Sequence, residues 1–72
     1  MSEQHIRNVI EAALLVAGKS LSLGDLAQLF DEQLRPDNAA LDAALADLAA
    51  SFEGRALELK ETASGWRVQV RT

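Results

Sequence analysis

Apolar positions near the start of the chain recur with a helical period. Ile6, Val9, Ile10, Ala13, Leu14 and Ala17 share one face of a helix predicted over residues 4 to 17. Arg7 and Glu11 lie four apart on the other side, a spacing that predicts a weak pair. Gly18 stops this helix, and Lys19, Ser20 and Leu21 leave room only for a turn or a brief strand. Ser22 then opens a second helix, with Asp25 placed to complete a capping box. Its predicted buried face is Leu23, Leu26, Ala27 and Phe30, with Leu29 at the edge.

Pro36 breaks the connection that follows and keeps Arg35 out of helical geometry. Asp37 or Asn38 caps a third helix, whose apolar stripe is Leu41, Ala44, Leu45, Leu48, Ala49 and Phe52, ending at Gly54. The period then falls to two. Leu57 and Leu59 alternate with Glu58 and Lys60, and Trp66, Val68 and Val70 alternate with Arg67, Gln69 and Arg71, as in a β-hairpin with one apolar face. Leu57 and Leu59 share a face with Val68 and Val70 only if paired residue numbers sum to an odd value. That condition admits a two- or a four-residue loop. Gly65 favours the four-residue loop over residues 63 to 66, which places Glu58 opposite Arg71.

Helix, short strand, helix, helix, hairpin is the order of a winged helix-turn-helix. The expectation is therefore an α+β fold: three helices, a short strand and a C-terminal β-hairpin wing, forming a single domain over residues 1 to 72. The apolar face of the hairpin needs cover, and the helical core is the surface available to supply it, with Trp66 at the junction.

The size of the chain changes what that fold needs. A domain of 72 residues hides only ~60% of the surface its unfolded chain exposes, and its core supplies roughly 3–5 kcal/mol. Without cysteine, and with a single histidine, neither a disulfide nor a zinc site is available to reinforce it. Association with another chain is the remaining source of stability. Apolar residues form 49% of the chain, which excludes disorder by composition. The longest apolar run, Ala12 to Ala17, is far short of the ~20 residues of a membrane span. The opening residues lack the basic leader of a secretory signal, so no membrane partner and a cytoplasmic location are expected.

Charge weighs against the duplex recognition that this fold often serves. The net charge is −4, and the third helix carries Asp37, Asp42 and Asp47 with no lysine or arginine. Groove entry requires neutralising phosphates and bonding to base edges, so sequence-specific DNA binding by this helix is not expected. The wing is the alternative: Lys60, Arg67 and Arg71, with Arg55 nearby, form a candidate patch for weak contact with a nucleic-acid backbone. The competing reading is an ordinary solvated strand face, its charge partly cancelled by Glu58 and Glu61.

Nothing in the sequence has the form of a catalytic site. There is no phosphate loop, no metal-ligand spacing and no nucleophile motif; His5 stands alone near the N-terminus, and Asp31 and Glu32 are adjacent and diverge. No enzyme activity, cofactor or metal is expected. The first helix, by contrast, is too apolar for one buried face. With Ile10, Ala13, Leu14 and Ala17 inward, Ala12, Leu15 and Val16 point elsewhere, either to the hairpin or third helix or to another molecule. Val9, Ala12, Leu15 and Val16 are the candidate surface for a two-fold homodimer.

The run from Ile10 to Leu23, Ile-Glu-Ala-Ala-Leu-Leu-Val-Ala-Gly-Lys-Ser-Leu-Ser-Leu, followed by Asp25-Leu26-Ala27, resembles the start of the segregation and condensation protein B (ScpB) family. Phe52-Glu53-Gly54-Arg55-Ala56-Leu57-Glu58-Leu59 and Gly65-Trp66-Arg67-Val68-Gln69-Val70-Arg71 resemble its helix-to-wing region. Two departures are Lys19, where the family often has an acid, and a longer, more polar connection over residues 31 to 38. The resemblance implies an accessory, non-enzymatic subunit of the bacterial Smc condensin-like complex, acting in chromosome segregation. It implies two winged helices per protein, of which this chain matches the N-terminal one. It also implies homodimerisation involving that domain, and assembly with the kleisin ScpA and with Smc.

Overall fold

The computed structural model describes residues 2–71. The elements follow the predicted order: α1 (Glu3–Ala17), α2 (Leu23–Ala27), α3 (Asn38–Ser51), β1 (Leu57–Thr62) and β2 (Gly65–Val70). Each helix starts where the sequence supplies an acceptor for the orphan amides of its first turn. The Ser2 side chain accepts from the His5 amide. Ser22 and Asp25 form the reciprocal capping box, and the Asp37 carboxylate accepts from the Ala40 amide at 2.8 Å. Gly18 ends α1 in the left-handed region, φ 66°.

The second helix is shorter than its apolar pattern. It closes after Ala27, and Phe30 reaches the core from the turn that follows. Arg35 holds that turn: its guanidinium donates to the Ala27 carbonyl at 2.9 Å and the Phe30 carbonyl at 3.4 Å, covering acceptors that a longer helix would have used.

α1 packs on α3, α2 packs on α3, and the hairpin lies against α1 and α3. Ile6, Ile10 and Leu14 meet Leu26, Phe30, Leu41, Ala44, Leu45, Leu48 and Phe52 in one core. The predicted stripe of α3 holds except at Ala49, which is exposed. Arg7 does not pair with Glu11 along its own helix; it reaches Asp47 on α3 at 3.2 Å, because α1 and α3 lie side by side.

The hairpin has the predicted face parity, with Leu57, Leu59, Trp66 and Val68 packed against the core. Its register is two residues away from the expected one. Leu57 pairs with Val70, Glu58 with Gln69 and Thr62 with Gly65, so the loop is the two-residue Ala63-Ser64 and Glu58 does not stand opposite Arg71. The cause lies outside the loop. The Leu21 and Trp66 backbones exchange hydrogen bonds at 2.8 Å in both directions, so the short strand pairs with β2 on the edge away from β1. Gly65, buried with φ 135°, lies where a Cβ would strike the Leu21 carbonyl. Gly65 is thus required for the close approach of two backbones, not for the interior of a longer loop. Thr62 completes the staple: its hydroxyl donates to the Gly65 carbonyl at 3.2 Å, accepts from the Ser64 amide at 3.2 Å, and lies 2.9 Å from the Ser20 hydroxyl.

Candidate interaction surfaces

The residues proposed for a dimer face divide into two groups. Val9 is half-buried against the core of its own chain. Ala12, Leu15 and Val16 are exposed, Leu15 by 52% and Val16 by 85%. They occupy i, i+3 and i+4, so they are neighbours on the helix surface. The hairpin and α3, which were the intramolecular alternatives, both contact α1 and still leave these side chains in solvent.

On the wing, the polar face places Lys60 directly opposite Arg67. Among the described residues neither forms a salt bridge. Like charges in directly opposed positions repel, so this pair costs the isolated hairpin stability. Arg71 is differently placed: its guanidinium lies 4.0 Å from the Glu58 carboxylate and donates to the Leu57 carbonyl at 3.4 Å. Gln69, opposite Glu58, donates to that carboxylate at 2.7 Å. Arg55 sits with its guanidinium carbon 5.2 Å from the centre of the Phe52 ring. Of the sequence-predicted patch, only Lys60 and Arg67 therefore stand together without an acidic partner.

The three acids of α3 have different surroundings. Asp37 caps the helix, Asp47 holds Arg7, and Asp42 is exposed with no bonded partner among the described residues. Between the exposed Asn38 and Ser51 at its two ends, the outward surface of α3 is otherwise Ala39, Ala43, Ala46, Ala49 and Ala50, whose methyl groups cannot hydrogen-bond to a base edge. His5 is exposed in the first turn of α1, and Asp31 and Glu32 lie exposed in the α2–α3 connection. Asp25 sits in the first turn of α2 and completes the capping box with Ser22. Hydrogen bonds from the backbone amide and then the hydroxyl of Ser22 hold its pKa below the ordinary carboxylate value, which is a capping effect. Among the described residues, no three His, Cys, Asp or Glu side chains gather as a metal site would require, and no helix is long and apolar enough to cross a membrane.

A further surface escaped the sequence reading. Asp42, Leu45, Ala46, Leu59, Glu61 and Trp66 line a groove between α3 and the hairpin. The one available sequence signal is Glu61, a carboxylate at a strand position whose parity is otherwise that of Leu57 and Leu59.

Comparison with known proteins bears on these surfaces. The family described as "Segregation and condensation complex subunit ScpB" matches residues 8–72. A segregation and condensation protein B homolog from Coxiella burnetii is 39% identical over 71 residues. The alignment covers 99% of this chain and 34% of that protein, so the chain spans about one third of its curated relative. The fold is shared with a solved structure of a conserved hypothetical protein from Chlorobium tepidum. Its TM-score is 0.78 at 21% identity, over 96% of this chain and 43% of that one.

Proposed function

Because this chain belongs to the ScpB family of segregation and condensation complex subunits, we propose that it is a non-enzymatic assembly domain that joins two copies of its protein through α1. The observation that carries this reading is the cluster of Ala12, Leu15 and Val16, exposed on a helix whose other face already fills the core. Leaving such side chains in water forgoes ~25 cal/mol for each Å² of apolar surface that a partner would cover. A two-fold contact places the patch of one protomer against the same patch of the next, with Val9 at its margin. Within the whole protein, the dimer would assemble with the kleisin ScpA and with Smc, in the bacterial cytoplasm at the nucleoid.

Light scattering on the chromatographed chain tests the first part. The expected result is a mass of two chains, and Leu15→Asp is expected to give a folded monomer, since that side chain is absent from the core. A strictly monomeric chain at high concentration would overturn the reading. Co-purification of the full-length protein with ScpA and Smc tests the second part.

The unpaired Lys60 and Arg67 favour one other reading, a weak contact between the wing and a nucleic-acid backbone. It requires a gel shift at low salt that disappears steeply as salt rises and is lost when both residues become Ala. No shift at low salt would remove it.

A further inference from the structure

The groove between α3 and the hairpin lies where this architecture usually meets its ligand, yet its chemistry is opposite to what a duplex needs. Leu45, Leu59 and Trp66, buried or half-buried, form its base, and the exposed Asp42, Ala46 and Glu61 form its edges. It is open to solvent and encloses about 330 Å³, at the small end of the ~300–1,000 Å³ range of ligand pockets. Both titratable groups in its lining are carboxylates, and among the described residues neither has an ion-pair partner. Lys60 and Arg67, next along the strands to Glu61 and Trp66, belong to the opposite face of the hairpin and do not neutralise it.

We infer that this groove docks a short segment of a partner protein, in which an apolar anchor is flanked by lysine or arginine. Shape and charge each contribute to that identification. The apolar base rewards burial of a Leu, Ile, Met or Phe side chain, and Trp66 adds an aromatic surface of the kind enriched at interface hot spots. The two carboxylates at the edges select for cations and against phosphates, which excludes a nucleic acid as occupant. The groove is too small to receive the broad self-complementary face of a two-fold dimer. A second copy inserting its own α1 would make a head-to-tail contact, which builds a ring or a filament instead of a two-fold dimer. This surface uses α3 and the wing, whereas the proposed dimer uses α1, so loss of either leaves the other open to measurement.

The experiment selects a random-peptide display library on the folded chain, with counter-selection on the double variant Asp42→Lys, Glu61→Lys. Both positions are exposed, so the variant should keep the parent's circular dichroism. Enriched peptides are synthesised and titrated by the emission of Trp66, the only tryptophan in the chain. The expected peptides join an apolar residue to Lys or Arg, shift the Trp66 emission and weaken as salt rises. They should lose about tenfold in affinity on the charge-reversed variant, much of it in association rate. The milder pair Asp42→Asn, Glu61→Gln should give an intermediate loss and serves if the reversal disturbs folding. Failure to enrich any groove-dependent peptide, peptides lacking cations, or an affinity indifferent to both variants would overturn the inference. So would competition by duplex DNA, or self-association beyond two chains that is abolished by the charge reversal.

Discussion

Leu21 and Trp66 exchange both of their backbone hydrogen bonds, each 2.8 Å long, and so tie the wing to the connection between the first two helices. That pairing makes Gly65 irreplaceable, since any Cβ there meets the Leu21 carbonyl. Gly65→Ala is expected to cost at least ~1–3 kcal/mol from its positive φ alone, with the backbone collision added. Gly24→Ala is the control: its Cβ would lie 3.7 Å from the Ser22 hydroxyl, an ordinary contact, so a gain of ~0.4–1 kcal/mol is expected. Urea denaturation of the two variants checks both signs.

The opposition of Lys60 and Arg67 across the strands predicts a stabilising charge change. Lys60→Glu replaces a repulsive cross-strand pair with an attractive one, and is expected to raise stability by ~0.2–1 kcal/mol at low ionic strength. The gain should shrink as salt is added. A loss of stability at low salt would mean that another group already neutralises this face.

Asp25 makes the stability of the chain depend on acidity in a defined direction. Its folded pKa is lowered by the Ser22 amide and hydroxyl, so the cap contributes fully above the unfolded value of ~3.9. The contribution decays as pH falls from that value through the folded one, where the carboxylate protonates in both states. The stability difference between the parent and Asp25→Asn should therefore narrow as pH is lowered through this window. Thermal melts of both chains at matched pH test it.

Arg7 bridges α1 and α3 through Asp47 at 3.2 Å, but Asp47 is 62% exposed and the Arg7 Nε is buried without a hydrogen-bond partner. The pair is therefore a weak source of stability. Asp47→Ala should cost less than ~1 kcal/mol. Arg7→Met, which keeps the apolar stem and removes the unpaired nitrogen, should remain within ~0.5 kcal/mol of the parent. Chemical denaturation of the two variants decides whether packing or charge holds these helices together.

The sequence by itself determined the element order, the cap at Ser22, a cap for α3 at Asp37 or Asn38, most of the core and the apolar face of the hairpin, because each depends on residues within a turn or two of one another. It also carried the acidity of α3 and the surplus apolar surface of α1, both properties of composition along a helix. Only the tertiary structure decided the hairpin register. Strand patterns repeat every two residues, so a shift of two leaves every side chain on its expected face, and the one local cue, Gly65, favours the longer loop that the structure does not form. The decision came from Leu21, distant in sequence, pressing its backbone against Gly65. For the same reason Arg7 found Asp47 instead of Glu11, and Asp42, Glu61 and Trp66 met around one groove. A local period specifies which way a side chain points, and the packing of separate elements specifies what it meets.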